Sequence, residues 1–490
     1  MIRMKIVFII IVGLMPIFTF ASENNNLQIP KSVMETGSLS IFEFGAVGDG
    51  KTANTSYIQK AIDTVSNAGG GTIIIPAGKY LTGTIQLKDN VFLYLTPGSV
   101  LIGSTNIEDY PELKVSYRSY TDNYSQRTLI FAEKQQNIGI FGYGKIYGQG
   151  EQFKEDENKI YKFRPYLVRF VECKNVNLDG INFENGAMWT VHLLACENVH
   201  ISNIKINSRC NKNNDGIDID SCNDVIVNDC HIISGDDSIV LKSTSPKPCK
   251  NITITNCVIS SLCNALKMGT ESNGGFQNIT IDNCTIYDTR LAGIALETVD
   301  GGITENISIN NISMQEVKCP IFIRLGNRAR PCCPDHIVTS VGKLGKIIIT
   351  NIVATGADSI GCAISGIHNY YIEGLTLRNI NISFVGGINT LIKSPFEKEK
   401  KYPEHTMFGT LPAFGFFIRH VNNLFIDNMT LKLEQEDKRP ALQLDDVKNP
   451  IISNISVLSP NENQVPIVLK KVEKPLIKDL FVNGISKKTK

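Results

Sequence analysis

One short phrase returns along this chain at nearly even steps, and it limits what the chain can fold into. Lys174-Asn175-Val176-Asn177-Leu178 is answered by Glu197-Asn198-Val199-His200-Ile201, Asn223-Asp224-Val225-Ile226-Val227 and Lys250-Asn251-Ile252-Thr253-Ile254. Gln277-Asn278-Ile279-Thr280-Ile281 and Glu305-Asn306-Ile307-Ser308-Ile309 continue it, at steps of 23, 26, 27, 27 and 28 residues. An earlier copy stands at Gln136-Asn137-Ile138-Gly139-Ile140 and a fainter one at Asn422-Asn423-Leu424-Phe425-Ile426. A second echo follows at Asn256-Cys257, Asn283-Cys284, Asn311-Ile312, Asn351-Ile352 and Asn454-Ile455. Units of this size, built from short β-branched runs and Asn/Asp/Gly turns, bury their apolar faces only by stacking on one another. Leucine-rich repeats share the period but need a Leu-x-x-Leu-x-Leu frame that is absent, and a propeller needs longer, four-stranded units. The expected fold is all-β: a single-stranded, right-handed parallel β-helix of about three strands per coil, with Asn side chains stacked at its turns to satisfy backbone groups.

A solenoid has open ends, and the first must be covered. Ile58, Ala61, Ile62 and Val65 form one apolar stripe at helical spacing, which predicts a helix over about Thr55–Ser66. Asn54 or Thr55 is the expected cap, and Asn67-Ala68-Gly69-Gly70-Gly71 ends it before the strand Thr72-Ile73-Ile74-Ile75-Pro76. This helix is read as the N-terminal cap of a β-helix domain spanning 37–490. Four insertions break the rhythm: Asp109–Arg127, Glu151–Arg164, Asn327–Gly345 and Lys393–Leu411. Such insertions either build a binding face or are solvated loops. Beyond Asn449 the repeats fade and close the far end.

Bulk properties narrow the function. Lys plus Arg number 49 against 48 Asp plus Glu, so no overall field recruits nucleic acid or a membrane surface. Residues 1–22 read as a secretory signal: Arg3 and Lys5, an apolar run from Ile6 to Phe18, then Thr19-Phe20-Ala21. A membrane anchor is the competing reading, although the run is short for a span. The mature chain is expected to be exported, periplasmic or extracellular, without a membrane span, and monomeric. Of thirteen cysteines, Cys173, Cys196, Cys222 and Cys249 each open a repeat, while Cys230, Cys257 and Cys284 recur every 27 residues. Residues recurring once per coil are expected to stack as small buried side chains. Cys332-Cys333 is the candidate reactive or bridged site. No Cys-x-x-Cys or clustered Cys/His spacing points to a metal, and no cofactor is expected.

The chemistry concentrates in one stretch. Asn213-Asn214-Asp215-Gly216-Ile217-Asp218-Ile219-Asp220 is followed about one coil later by Ser234-Gly235-Asp236-Asp237-Ser238. Carboxylates gathered this way suit acid–base work on a glycosidic bond. The plain alternative is that Asp215, Asp218 and Asp220 are turn and surface residues of a solenoid.

These two acidic motifs, with Phe44-Gly45-Ala46-Val47-Gly48-Asp49-Gly50 and Gly69-Gly70-Gly71-Thr72-Ile73-Ile74-Ile75-Pro76, resemble glycoside hydrolase family 28, the polygalacturonase-like pectinases. The resemblance runs from about Ile41 to at least Arg330. It implies an inverting hydrolase acting on pectic polysaccharide or oligosaccharide, on homogalacturonan or rhamnogalacturonan. Asp236 would be the general acid, and Asp215 with Asp237 would hold and deprotonate water. Two departures stand out. Asn264 stands where the family carries a histidine. Ala295 and Glu297 occupy the places of the family's Arg-x-Lys, which grips a galacturonate carboxylate on the leaving-group side. Neither replacement binds an anion, which suits a neutral sugar there, as in galacturonate–rhamnose linkages.

Candidate substrate-binding residues are Asn213, Lys242, Asn264, Lys267, Glu271, Arg290, Glu297, Arg324 and Arg328. Lys267 and Glu271 have the alternative of a structural ion pair. Arg324 and Arg328 are candidate bidentate clamps for a carboxylate. Trp189 and Tyr166 are either sugar-stacking or packing residues. His192, His336, His368 and His405 have no motif support and are read as loop or packing residues. The insertions suggest a cleft closed at one end, hence exo action. Two other classes remain open on sequence alone: a non-catalytic carbohydrate-binding β-helix, and a polysaccharide lyase.

Overall fold

The computed structural model describes residues 37–153 and 162–487. The proposed signal, residues 1–22, lies outside them, as does part of the Glu151–Arg164 insertion. The chain winds into a parallel β-helix, each strand pairing with strands one coil away. Val176, Val199, Val225, Ile252, Ile279, Ile307, Ile347, Leu375 and Leu424 stand in one register column. All nine are buried, and each contributes about 1.5–3 kcal/mol relative to an exposed side chain. The pairs Ile307–Ile347 and Leu375–Leu424 mark the two long coils, which carry the Asn327–Gly345 and Lys393–Leu411 insertions.

The recurring Asn residues explain why the coils register. Asn137, Asn175, Asn198, Asn251 and Asn278 all take a left-handed backbone with φ between 53° and 57°, a conformation that Asn tolerates well. Their amides bond one another rather than the backbone groups anticipated from the sequence. Asn175 Nδ2 donates to Asn137 Oδ1 at 2.8 Å, Asn198 to Asn175 at 2.8 Å, and Asn278 to Asn251 at 2.8 Å. Asp224 takes the ladder position between Asn198 and Asn251 and accepts from the latter at 2.8 Å.

The ends are covered differently. The helix Thr55–Asn67 buries Ile58, Ala61, Ile62 and Val65 against the first coil. Asn54 precedes it but does not cap it. Its side chain instead accepts from the Val47 N–H at 2.7 Å and donates to the Thr52 carbonyl at 2.6 Å, so the cap expected from sequence is replaced by a staple on the preceding loop. At the other end, Leu480–Val482 and Ile485–Ser486 form an antiparallel hairpin.

Every cysteine is a free thiol. Cys173, Cys196, Cys222 and Cys249 are buried, one per coil, and the Cys196 N–H donates to Cys222 Sγ at 3.3 Å. Cys332 and Cys333 bring their sulfurs to 3.7 Å without a bond. Among the described residues no helix is long and apolar enough to cross a membrane.

Candidate active site

One face of the solenoid is built from Tyr166–Val171, Val191–Leu194, Ile217–Asp220, Ile239–Ser243 and Leu266–Ser272. Val168, Val191, Ile217, Ile239 and Leu266 point inward in one column. The pleat sends the intervening residues outward. Arg169, His192, Asp218, Val240 and Lys267 therefore stand side by side, and two residues further on Asp220 stands beside Lys242. The reading of Asp215, Asp218 and Asp220 as turn or surface residues fails: Asp218 and Asp220 are strand residues, and all three are at most 3% exposed.

The backbone sets the acids. Gly216 N–H donates to the Asp237 carbonyl at 2.9 Å, which places Asp215 and Asp237 on adjacent coils at the same height. A side chain at Gly216 would put its Cβ 2.4 Å from the Ser238 oxygen, so the motif needs glycine there. Asn214 is fully buried and donates to the Gly186 carbonyl at 2.7 Å, while Asn213 accepts from Arg164 at 2.9 Å. Asn213 thus holds the turn that presents Asp215. Ser234 and Ser261 each donate to the Asp236 carbonyl at 2.6 Å, fixing the second motif.

Two buried lysines organise the charges. Lys242 Nζ lies 3.4 Å from Asp215 Oδ2 and 3.5 Å from Asp218 Oδ1, above the Trp189 ring at 4.5 Å. Burial and mutual repulsion push the Asp215 carboxyl well above its usual range, and burial does the same to Asp218. Lys267 Nζ lies 3.0 Å from Asp237 Oδ2 and 3.8 Å from Glu297 Oε2. Asp237 also accepts from the Asn264 side-chain amide at 2.8 Å and from its backbone N–H at 3.2 Å. Burial opposes ionisation of Asp237, but Lys267, Lys242 and Asn264 outweigh it and hold the carboxyl below its usual range. Half-buried Asp236 lies beside it, with carboxylate oxygens of both and Cys263 Sγ within 4.8 Å of one another. Burial and the Asp237 charge raise Asp236. Two neighbouring carboxyls are thus driven in opposite directions, one toward acid and one toward base.

The remaining sequence candidates divide. Asn264 bridges coils, its Oδ1 accepting from the Ala292 N–H at 3.0 Å while its amide holds Asp237. Glu271 does not pair with Lys267; it is held by Arg330, with Arg328 at 3.8 Å. Lys267 and Glu271 lie four residues apart on the strand Leu266–Ser272, about 13 Å at the backbone, too far for a close pair. Burial works against the Glu271 charge, yet Lys242, Arg330 and Arg328 pull its carboxyl down to about 2. Glu297 is buried and pushed up to about 8, chiefly by burial, against the pull of Lys267. Arg328 grips Asp300 with two nitrogens. Arg324 is buried and directs its guanidinium to the Ser365 hydroxyl and the Gly366 carbonyl, both at 3.0 Å, and to the Glu397 carbonyl at 2.8 Å. Its carboxylate-clamp geometry is thereby occupied, and it anchors the Lys393–Leu411 insertion instead. Arg290 is exposed and stands outside the buried charge cluster, without an ion pair among the described residues.

Tyr166 and Trp189 are buried and pack at 5.8 Å, with His192 stacked on Tyr166 at 5.3 Å. They form the wall at the N-terminal side of the acids. The Asp109–Arg127 insertion lies over that wall: Tyr124 meets Trp189 at 5.3 Å, and the Tyr120 N–H donates to the Thr244 carbonyl at 2.8 Å. Tyr117 Oη and Ser245 Oγ are 2.8 Å apart, and Arg330 stacks on Tyr120 at 3.7 Å.

The sequence reading missed two residues of the Lys393–Leu411 insertion. Glu404 faces Lys267, Asp237 and Asp236; burial is the largest cause raising its carboxyl to about 7. The Tyr402 ring lies 5.8 Å from Lys267 Nζ and 5.7 Å from the Arg328 guanidinium. Nothing in their local sequence marks them, since the insertion carries no repeat.

A "Probable polygalacturonase" of Vitis vinifera is 35% identical over 217 residues, 42% of this chain and 44% of that protein. An "Exo-poly-alpha-D-galacturonosidase" of Dickeya chrysanthemi is 30% identical over 251 residues, 41% of each chain. The chain therefore spans under half the length of these curated relatives. Among solved structures, an exopolygalacturonase from Thermotoga maritima superposes with a TM-score of 0.61 at 24% identity, covering 80% of this chain and 92% of that one. It supports the right-handed parallel β-helix. Residues 66–399 match the sequence model of glycosyl hydrolases family 28, and the chain belongs to that family.

Proposed function

We propose that this protein is an inverting glycoside hydrolase that removes galacturonic acid from the ends of pectic oligosaccharides. The observation that carries this reading is the Asp236–Asp237 pair, adjacent carboxyls driven apart in proton affinity. Asp236, kept protonated, gives its proton to the leaving oxygen. Asp237, kept ionised by Lys267 and Asn264, takes a proton from the attacking water, which Asp215 helps to hold. Lys242 steadies Asp215, and Lys267 steadies Asp237. The names of the two curated relatives support galacturonan as the substrate class.

Exo action is supported by the Asp109–Arg127 insertion, which packs Tyr124 on Trp189 and ties Tyr120 to Thr244 at the N-terminal side of the acids. The charged and apolar segment in residues 1–22 supports export, and the enzyme is read as working there as a monomer.

Asp236→Asn is the direct test. Turnover should fall by about a thousandfold or more while oligogalacturonide binding survives. Proton NMR of the wild-type reaction should show the β-anomer of galacturonic acid first. An undiminished Asp236→Asn rate, first release of the α-anomer, or unsaturated products absorbing in the ultraviolet would sink the proposal.

A further inference from the structure

The leaving side of the cleft carries more acid than its single free-standing lysine balances. Asp236, Asp237, Glu297 and Glu404 converge around Lys267. Of the other cations nearby, Arg330 is taken by Glu271, and Arg328 is held by Asp300 through Nε and Nη2 with only its Nη1 left unpartnered. Glu297 is 1% exposed; Oε2 accepts from the Thr270 hydroxyl at 3.1 Å, and Oε1 has no hydrogen-bond partner. Glu404 likewise leaves Oε2 without a partner. A buried carboxyl oxygen without a partner is costly, so these two atoms point to a ligand that supplies hydrogen-bonding groups. The Tyr402 ring lies 5.8 Å from Lys267 Nζ, beside the same acids.

Resting on the hydrolase reading above, we infer that Glu297 and Glu404 select an uncharged sugar on the leaving side of the scissile bond. A sugar hydroxyl can donate to a carboxylate or accept from a carboxylic acid, so it satisfies either protonation state of both groups. A sugar carboxylate meets like charge from the ionised forms, and its hydrogen bond to the neutral forms requires protons to be held on both. Burial raises Glu297 to about 8 and Glu404 to about 7, so near neutrality the two share protons and work as a hydroxyl-recognising pair. Like-charge juxtaposition at this contact should discriminate against the acid by about tenfold or more.

The test uses the full-length enzyme and two substrates that differ only in charge: α-1,4-digalacturonate, and the same disaccharide methyl-esterified on its reducing-end carboxylate. At pH 7 the kcat/KM for the ester should exceed that for the acid by about tenfold or more. Glu404→Gln, on the insertion and safe for the core, and Glu297→Gln should each bring the ratio toward unity, by accelerating cleavage of the acid. Equal or faster cleavage of the acid by the wild type overturns the inference while leaving the hydrolase reading intact. An unchanged ratio in both variants also overturns it. Cleavage of neither substrate, nor of longer oligogalacturonides, fells the hydrolase reading and this inference with it.

Discussion

Lys242 and Lys267 make nearly the same structure on neighbouring coils and get different results from it. Each is a buried ammonium between two carboxyls: Asp215 and Asp218 for the first, Asp237 and Glu297 for the second. In the Lys242 cluster both carboxyls are raised. In the Lys267 cluster Asp237 is lowered while Glu297 is raised. Asp237 feels both lysines and also accepts from two Asn264 N–H groups, whereas Asp215 feels Lys242 alone against the Asp218 and Asp236 charges and leaves Oδ1 unpartnered. A neighbouring lysine alone therefore does not decide which acid keeps its charge; the balance of cations, carboxylates and hydrogen-bond donors around each oxygen does.

That contrast can be broken by removing the cations. Lys267→Met should cost about 3–5 kcal/mol, because it leaves ionised Asp237 buried without its partner. Lys242→Met should cost less, since Asp215 and Asp218 are already biased toward protonation and can take up a proton instead. Urea unfolding of both variants at pH 7 measures this, and equal losses would erase the contrast. Asn264→Ala sharpens it next. Without the amide the Asp237 carboxyl rises, and because the base must be ionised, the acidic limb of kcat/KM should move to higher pH by about one unit. An unmoved limb would take the role away from Asn264.

Glu297→Gln has the smallest effect. Its folded carboxyl sits at about 8 against an unfolded value of 4.5, so the native state binds the proton more tightly. Stability from this group is present below the unfolded value and is lost as pH rises toward 8. The variant should gain about 2 °C or more in melting temperature over the wild type at pH 9 relative to pH 5. A melting difference independent of pH would contradict a carboxyl held neutral there.

The fold was readable because the repeat writes its own geometry: Asn137, Asn175, Asn198, Asn251 and Asn278 mark the left-handed turn of each coil. The acids were readable for a related reason. Asp215 and Asp236 are 21 residues apart, close to one repeat, so counting about one coil brings the two acidic motifs onto neighbouring turns. Glu404 and Tyr402 were not, because a long insertion has no period and its path depends on anchors such as Arg324 binding the Glu397 carbonyl. Arg324 itself looked like a substrate clamp because a guanidinium serves backbone carbonyls as readily as carboxylates. The Lys267–Glu271 ion pair offered as one alternative does not form, because in an extended strand residues four apart are about 13 Å apart. Asn54 failed as a cap for a local reason: the Val47 loop offered its amide two better contacts.

The buried column of cysteines has a consequence for how the molecule ends its life. While the coils hold, Cys173, Cys196, Cys222 and Cys249 are out of reach of oxidants and of one another's chemistry. Once heat opens the stack, ten buried thiols meet solvent together, and in an oxidising compartment they crosslink at random faster than a large solenoid can rewind. Loss of the protein under such conditions is then governed by how rarely the coils come apart, and a reductant present during cooling decides whether anything returns.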